Sequence, residues 1–429
     1  MSINIINNDK TEEKTDEETI IPAGVIWNLS NIKDFIFDIV IGNNICVFGG
    51  LNNTYYSYDC IKWNICLGPA SESSLSNLTY TNHIFLGTNS SGLYRSEDGI
   101  FWKKTDNKIY TEKIVCNKQI FVLLTTGQQL LYSYDGISWN NCNININNIN
   151  GIVYVGDKFF CNNTSQSCYS IDGINWNETL RDGIEGSLYV DRLYYGNGVY
   201  VSECRTDTGY SFDGITWYKA LLPGKDTFRI DKCVFGNNVF VGYEFSTGTN
   251  TVIYSLNGKD WDYCLQYDGN NIYSDYIFYN NGIFNCYDSN ISKLLYSLDG
   301  INWGKSQNSY EPTNIVYNNG VLVGVSKSKN CYYSVDGCSW KSCYPDSIQM
   351  DRNIVFNDNI FIGYNFNNKN IFYSKPIKRN KSVQQQLEAQ YPIGSTITLQ
   401  TNNNPFCYLG FGTWTTSNDS APYTYERTL

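Results

Sequence analysis

Histidine is almost missing from this sequence, since His83 is the single one among 429 residues. The 15 cysteines form no Cys-x-x-Cys pair, and structural zinc sites need Cys and His clustered at short spacing. Catalysis by a Ser-His-Asp or Cys-His arrangement would depend on His83 alone, which stands in a turn-like segment after Asn82. We therefore expect no metal, no cofactor and no triad chemistry.

Charged residues and long apolar runs are also scarce. Asp, Glu, Lys and Arg make up 17% of the residues, and the net charge is −10. An acidic chain gains little from nucleic-acid phosphates or from anionic lipid surfaces. No run approaches the roughly 18 apolar residues of a membrane-spanning helix, and residues 1–19 are polar and acidic, unlike a signal peptide. We expect no nucleic-acid partner, no membrane insertion and a disordered acidic arm over residues 1–20.

What the sequence does contain is a repeated motif, Tyr-Ser-x-Asp-Gly-x-x-Trp, which stands in clean form at Tyr132–Trp139. Eight copies follow one another at a period of about 40 residues, with Cys60, Arg95 and Asn257 as departures from the pattern. The Asp or Asn of each copy is expected to close a turn, because its side-chain oxygen can accept nearby backbone N–H groups. These turn residues are Asp59, Asp98, Asp135, Asp172, Asp213, Asn257, Asp299 and Asp336.

An earlier hairpin precedes the motif in each repeat. Asn-Gly pairs flanked by apolar residues, such as Asn197-Gly198, supply the positive φ values of a type I′ turn. Each unit then has four strands: two from this hairpin, the Tyr-Ser strand, and the Trp strand after the Asp-Gly turn. Nine such units predict an all-β fold, a β-propeller of about nine four-stranded blades. Eight blades plus one displaced unit is the alternative.

The tryptophans mark the fourth strands. We expect each ring to return into the sheet and to pack against the next blade, where it buries a large apolar area. These residues are Trp27, Trp63, Trp102, Trp139, Trp176, Trp217, Trp261, Trp303 and Trp340. Four cysteines follow a motif Trp by three residues and are expected to be small buried residues with free thiols, which suit a reducing compartment: Cys66, Cys142, Cys264 and Cys343.

The two ends of the repeat array are incomplete in complementary ways. Trp27 follows no Tyr-Ser-x-Asp-Gly segment, whereas Tyr373-Ser374 is followed by neither Asp-Gly nor Trp. We expect the strand bearing Trp27 to pair with the strand ending at Ser374, which completes the last blade and removes exposed sheet edges. The predicted propeller spans residues 21–376, and residues 377–390 form a linker with the pattern of a short helix.

The repeated motif resembles the Asp box, or BNR repeat, of sialidases, sortilin-type receptors and many bacterial and viral propellers. The usual box is Ser-x-Asp-x-Gly-x-x-Trp, so this chain is one residue shorter between Asp and Gly. The resemblance covers about residues 25–376. It implies a propeller whose boxes are structural and lie at the periphery, away from any ligand, and it says almost nothing about function.

The C-terminal segment, residues 391–429, is similar to a short module near the C-termini of tail-fibre and other structural proteins of phages and large DNA viruses. Its landmarks occur in order as Tyr391-Pro392-Ile393-Gly394-Ser395, Asn404-Pro405 and Phe411-Gly412-Thr413-Trp414. The resemblance implies a small β module that assembles into a virion appendage, often as a homo-oligomer. A generic β-hairpin appendage is the alternative. The Asn-rich, Cys-rich composition also resembles that of giant-virus proteins.

An enzymatic function has little support in the sequence. A sialidase-like glycoside hydrolase would need an arginine cluster together with paired acids. Arg192, Arg229 and Arg352 stand near the starts of first strands, where a structural or rim role is expected. No pair is selected by the spacing of the available acids, Glu178, Glu185, Glu203 and Glu244. We expect a non-enzymatic protein without catalytic residues, and a sialidase-like hydrolase remains an alternative.

Binding through loops is the function that the sequence favours. Long inserts cluster in successive repeats, and loops on a rigid scaffold commonly carry function. The inserts are Leu180–Leu188, Leu221–Asp231, Tyr243–Thr251 and Gln266–Tyr276. Tyr267, Tyr273 and Tyr276 are candidates to stack on sugar rings, with a place in the core as the alternative. The leading hypothesis is a virion structural or attachment protein that binds a host-surface glycan or another virion protein. A cytosolic protein–protein scaffold is the alternative.

Overall fold

The structure is a computed structural model of the whole chain. It describes residues 20–69, 74–105, 109–245, 250–266, 269–274, 276–307, 310–357, 360–378, 396–399, 414–416 and 423–427. The chain divides into two units, which are treated separately below. One is Gly24–Lys375, and the other combines Met1–Ala23 with Pro376–Leu429.

The unit Gly24–Lys375 is a β-propeller with nine four-stranded blades in the described ranges. The four strands of each blade are antiparallel, and in blades 1 to 8 strands that follow one another in sequence lie side by side. The sheets of blades 5 and 7 have a fifth, parallel strand at the outer edge, Leu180–Asp182 and Leu265–Gln266. Blades 1 to 8 begin at Asp38 and run in chain order, and blade 9 takes its fourth strand from the N-terminal end of the unit. The predicted fold class and the count of nine are confirmed, and the eight-blade alternative is wrong.

The strands have the following bounds. The first strands are Asp38–Gly42, Ser76–Thr81, Thr111–Cys116, Gly151–Val155, Leu188–Gly196, Ile230–Gly236, Ile277–Asn280, Pro312–Asn318 and Arg352–Asn357. The second strands are Ile45–Gly49, Ile84–Asn89, Phe121–Thr125, Lys158–Asn162, Val199–Cys204, Val239–Glu244, Ile283–Asp288, Val321–Ser326 and Ile360–Asn365. The third strands are Thr54–Ser57, Gly92–Ser96, Leu130–Ser133, Ser167–Ser170, Thr208–Ser211, Thr251–Ser255, Lys293–Ser297, Cys331–Ser334 and Asn370–Ser374. The fourth strands are Asn64–Ile65, Lys103–Lys104, Asn140–Asn141, Asn177–Glu178, Thr216–Lys219, Asp262–Tyr263, Asn302–Lys305, Lys341–Ser342 and, for blade 9, Asn28–Lys33.

The core lies between neighbouring blades. All residues of the second strands Ile45–Gly49, Val199–Cys204 and Val321–Ser326 are buried, because adjacent blades cover both faces of these strands. The fourth strand Lys103–Lys104 is exposed at the outer edge. Each hydrophobic cluster combines residues of two blades, as where Ile45 of blade 1 meets Trp102 of blade 2. Packing between blades is therefore what holds the ring together.

Blade 9 closes the ring with strands from both ends of the unit. The strand Asn28–Lys33 pairs antiparallel with Asn370–Ser374, in the register Asn28 to Tyr373 and Leu29 to Phe372. The Oγ atom of Ser374 accepts a hydrogen bond of 2.7 Å from the Gly24 N–H. The equivalent serine in an intact motif, Ser133, accepts the Gly136 N–H at 2.9 Å. The two incomplete motifs therefore combine into one turn, and the predicted closure is confirmed.

Most blades are also joined at their outer edges by a short parallel contact that the sequence did not suggest. The segment after a fourth strand crosses to the next blade, where Leu67 N–H donates to Ile100 O at 2.8 Å and Trp102 N–H donates to Leu67 O at 3.0 Å. Further contacts of this kind are Asn143 with Asn175, Leu180–Asp182 with Thr216–Lys219, Leu221 with Asp260, Leu265–Gln266 with Asn302–Lys305, and Tyr344 with Ile26. These bonds satisfy edge-strand groups that would otherwise be free to pair with another chain.

Two cysteines for which the sequence makes no prediction are bonded to each other. Cys46 and Cys60 form a disulfide in blade 1. Cys60 stands where other motif copies have Gly, and its turn brings it within a Cα–Cα distance of 6.2 Å from Cys46 on the second strand. Cys66, Cys142, Cys264 and Cys343 are free and buried, as expected.

In its described residues, the second unit contains two small sheets. Ile20–Ile21 pairs antiparallel with Ile377–Lys378. Thr396–Leu399 and Trp414–Thr416 both pair with Tyr423–Arg427, which forms the small β module predicted for the C-terminal segment. The arm over residues 1–19 and linker residues 379–390 lie outside the described residues. The disordered arm, the linker helix and the domain boundaries therefore stay predictions.

Candidate functional site

The strand order gives the propeller two distinct faces. Because consecutive strands are antiparallel, the hairpin between the first two strands and the turn between the last two leave the same end of a blade. We call this end the turn face. The connections between second and third strands and between successive blades leave the other end, the loop face. All four long inserts noted in the sequence belong to the loop face.

The eight motif Asp and Asn residues lie on the turn face and make the same contacts. In each turn, the Oδ1 atom accepts the backbone N–H groups two and three residues further on, at 2.7 to 2.9 Å. The motif serine donates to the same oxygen, as from Ser133 to Asp135 at 3.0 Å. Burial alone would raise the pKa of Asp172, but hydrogen bonds from Asn175, Ile174 and Ser170 outweigh it and lower that pKa to about 2.

The motif tryptophans lie at the base of these turns. Eight of the nine are buried, and Trp139 is half-buried. Six indole N–H groups donate to a carbonyl three residues earlier, as from Trp102 to Gly99 O at 3.1 Å. The prediction that each ring packs against the next blade is wrong, because the rings pack toward the preceding blade. Trp102 and Trp303 cluster with second-strand residues of the preceding blade, because that strand covers the face to which the fourth strand turns its ring.

The motif cysteines connect one turn to the next blade. The thiols of Cys66, Cys142, Cys264 and Cys343 donate to the carbonyls of Gly99, Gly173, Gly300 and Gly24, at 3.2 to 3.5 Å. Burial raises the pKa of Cys142 to about 12, so this thiol keeps the proton that it donates. The turn face is therefore fully occupied by structural hydrogen bonds at these positions.

The loop face carries a cavity of about 690 Å³ between blades 4, 5 and 6, which we call the loop-face pocket. Polar and charged side chains form most of its wall. The residues that line it are Asn150, Asn162, Asn163, Thr164, Ser187, Tyr189, Val190, Asp191, Arg192, Glu203, Arg205 and Arg229. All of them stand at the starts of first strands, at the ends of second strands or in the adjoining connections. The pocket therefore follows from strand ends that the ring brings together.

A buried carboxylate organises the charged part of this pocket. The Glu203 side chain is 0% exposed, and its two oxygens accept hydrogen bonds from the guanidinium groups of Arg192 and Arg229. The Nε atom of Arg229 donates to Glu203 Oε1 at 2.8 Å. Arg192 also forms an ion pair with Asp231. Burial acts to lower the pKa of Arg192, but the hydrogen bond and charge of Glu203 outweigh it and raise that pKa.

Part of each of these two arginine side chains is accessible to solvent. The side chains of Arg192 and Arg229 are 41% and 35% exposed. The guanidinium group of Arg229 also lies over the ring of Phe245, with its central carbon 5.5 Å from the ring centroid. Arg205 is exposed, and no ion pair or hydrogen bond of its side chain is found among the residues that the structure describes. Asp191, by contrast, is paired with Lys113 at 2.7 Å.

The three tyrosines that the sequence suggests for a binding rim do not lie together. Tyr273 lines a second loop-face cavity of about 480 Å³, together with Gln266, Asn271 and Asp288. Tyr276 packs against the hydrophobic cluster between blades 7 and 8, and its ring stacks with that of Phe278 at a centroid distance of 6.5 Å. Tyr267 lies outside the described residues. The structure therefore does not bring the three tyrosines into one described surface.

The residues of the loop-face pocket were not grouped by sequence reasoning. The sequence pattern puts Arg192 and Arg229 near strand starts, and its spacing pairs Glu203 with no other residue. One feature could have linked them, since Glu203 interrupts the apolar second strand Val199–Cys204. A carboxylate in a strand that is buried on both faces needs a cationic partner. The sequence alone could not show which arginines reach it.

No group of three or more His, Cys, Asp or Glu side chains placed to hold a metal ion occurs among the described residues. Within those same ranges, no helix is long and apolar enough to span a membrane.

Comparison with known proteins adds little beyond the architecture. No protein-family model and no curated protein matches the chain. Among solved structures, the computationally designed Ika8 protein matches at 13% identity with a TM-score of 0.45, covering 82% of this chain and 99% of that one. BamB from Moraxella catarrhalis matches at 8% identity with a TM-score of 0.43, covering 83% and 99%. Virginiamycin B lyase from Staphylococcus aureus matches at 9% identity with a TM-score of 0.38, covering 67% and 97%. At these scores the matches carry no argument about function.

Proposed function

We propose that this protein is a non-enzymatic attachment protein of a virion, which binds a host-surface glycan in the loop-face pocket. The observation that carries the proposal is the composition of the pocket wall. Amide and hydroxyl groups of Asn150, Asn162, Asn163 and Thr164 line a cavity of about 690 Å³. Such groups donate and accept hydrogen bonds in the way that sugar hydroxyls require.

An aromatic side chain at the pocket supports a sugar ligand. Tyr189 lines the cavity and is 37% exposed, so one part of its ring is held by the protein while another part is open. Aromatic rings of this kind offer a large apolar surface together with a polar hydroxyl. The loop-face pocket thus combines a stacking surface with hydrogen-bonding groups, and it replaces the three rim tyrosines as the preferred candidate.

The buried acid of the pocket suits a structural role more than a catalytic one. Both oxygens of Glu203 accept hydrogen bonds from guanidinium groups, and the side chain is 0% exposed. A general acid or nucleophile must reach the bond that it attacks. Glu203 is occupied instead in positioning Arg192 and Arg229, which favours binding over hydrolysis.

A glycan array tests the proposal. Labelled full-length protein should bind a subset of glycans, and Tyr189→Ala should reduce that binding by about tenfold, a loss comparable to one aromatic stacking contact. Tyr58→Ala is the matched control, because Tyr58 is 64% exposed on the turn face and should not affect binding. Absence of binding to every glycan, or equal loss in both variants, would contradict the proposal.

The virion location rests on the resemblance of residues 391–429 to viral structural modules. If this segment drives assembly, the full chain should be a trimer or larger by light scattering after size exclusion, whereas a chain truncated after residue 380 should be monomeric. If the full chain and the truncated chain are both monomeric, the proposal that this segment drives assembly loses its support. Mass spectrometry of purified particles would test the location directly, and absence from the particles would favour a cytosolic scaffold.

A further inference from the structure

The loop-face pocket contains amide and hydroxyl groups that suit sugar hydroxyls. It also contains guanidinium N–H donors that have no partner among the described residues. We propose that the glycan it binds is acidic, and that Arg205, Arg192 and Arg229 hold a carboxylate or sulfate group of that glycan. This inference rests on the proposed function and adds the chemical class of the ligand.

Glu203 pre-organises two of the three arginines. It accepts from Arg192 through Oε2 and from Arg229 through Oε1, and Phe245 supports the Arg229 guanidinium from one side. A guanidinium group carries five N–H donors, and these contacts use only part of them. Nε and Nη2 of Arg192 and Nη1 of Arg229 have no hydrogen-bond partner among the described residues. Both side chains therefore stay fixed while donors remain for a ligand.

The carboxylates around the pocket are already occupied. Glu203 forms ion pairs with two arginines, Asp231 forms one with Arg192, and Asp191 forms one with Lys113. Arg205 lines the same cavity and has no ion pair within the described ranges. This leaves a cationic surplus at the pocket on a chain whose net charge is −10. An anionic group of the ligand would supply the missing partner.

Arginine suits this ligand chemistry better than a single point charge would. Its planar fork matches the two oxygens of a carboxylate or sulfate, and such charge-assisted hydrogen bonds are stronger than neutral ones. The amide groups of Asn150 and Asn162 in the same wall would meet the hydroxyls of the sugar ring. A free inorganic anion would leave these amides unused, so an acidic saccharide fits the whole cavity.

Isothermal titration of the full chain tests the inference with three tetrasaccharides of the same backbone. One carries glucuronate carboxylates, one carries sulfates, and one is neutral. The acidic probes should bind at least about tenfold more tightly than the neutral one. Their affinity should fall as salt is raised, since counter-ions screen the attraction. The preferred acid shows whether carboxylate or sulfate is the recognised group.

Arg205→Ala is the decisive variant, because this exposed side chain has no hydrogen bond or ion pair among the described residues and can be removed with little effect on folding. It should weaken binding of the acidic probe about tenfold and leave the neutral probe unchanged. Lys118→Ala is the matched control, because Lys118 is an exposed cation in a hairpin of the turn face. Equal affinity for acidic and neutral probes, with Arg205→Ala unchanged and Tyr189→Ala weakened, would overturn the acidic ligand but keep the glycan site. No binding by any probe or array glycan would overturn both.

Discussion

On the turn face, the same Ser-Asp-Gly-Trp hydrogen bonds recur from blade to blade, whereas the loop-face pocket is confined to blades 4 to 6. The strands that support both faces are alike. The difference arises in the connections, because a turn of fixed length imposes one geometry while inserts of variable length do not. Repetition thus marks the residues that build the ring, and departures from it mark the candidate binding surface.

The first prediction concerns the tryptophans and carries the largest effect. Trp102→Ala should lower the free energy of unfolding by about 3–5 kcal/mol, because the ring is fully buried between blades 1 and 2 and its removal leaves a cavity. Trp139→Ala should lower the free energy of unfolding by clearly less, since Trp139 occupies the same motif position but is half-buried. Chemical denaturation of both variants measures the difference. Equal costs would mean that the motif position, rather than burial, sets the energy.

The second prediction concerns the charged network of the loop face. Glu203→Gln should lower the free energy of unfolding by about 2–3 kcal/mol, because two guanidinium groups lose their buried counter-charge while water still reaches part of each. The control is Glu97→Gln, which removes an exposed partner of Arg95 and should change stability by less than about 0.5 kcal/mol. A Glu203→Gln variant as stable as the control would show that this network does not support the loop-face pocket.

The third prediction compares the split motif with an intact one. Ser374→Ala removes the acceptor of the Gly24 N–H, and Ser133→Ala removes that of the Gly136 N–H. Each should cost about 1–3 kcal/mol, since a buried donor loses its partner. Hydrogen exchange should distinguish them, because only Ser374→Ala acts on the strand that closes the ring. Faster exchange over Asn28–Lys33 is expected for Ser374→Ala and not for Ser133→Ala.

The fourth prediction concerns acid and has the smallest effect. The pKa of Asp172 is about 2 in the folded protein, below its ordinary value near 4. The folded state therefore binds fewer protons than the unfolded state between these values, so the contribution is complete above about pH 4 and is lost as pH falls toward 2. Asp172→Asn should remove this dependence from one turn, by less than about 1 kcal/mol because the carboxylate is largely exposed.

Blade 6 provides a natural control for the acid experiment. Asn257 makes the same two backbone contacts without a titrating group, since Oδ1 accepts from Lys259 and Asp260 at 2.9 and 2.8 Å. Asn257→Asp combined with Asp260→Asn, which supplies the amide partner that Asp172 has in Asn175, should add acid sensitivity where Asp172→Asn removes it. Unfolding curves between pH 2 and 6 would show both changes, and identical curves for the two variants would contradict the assignment.

Prediction from the sequence succeeded where interactions are local or repeated. The turn at Asp135 needs only residues within one motif, so its spacing predicts the Asx turn. The closure of blade 9 was predictable because Trp27 and Ser374 complete one motif. The direction in which Trp102 packs was not predictable, because the motif does not specify which neighbouring blade covers its ring. The disulfide between Cys46 and Cys60 was not predictable either, because it depends on a strand and a turn meeting in space.

The all-β class, the number of blades and the way the ring closes follow from the amino-acid sequence, because each repeat carries its own turn chemistry and a ring needs every strand edge to be paired. The loop-face pocket, in contrast, depends on how the blades are arranged in space. Arg192 and Arg229 belong to consecutive blades and meet at Glu203 because the ring sets their first strands side by side. Such a meeting depends on the register and twist of neighbouring sheets, which no local pattern in the chain encodes.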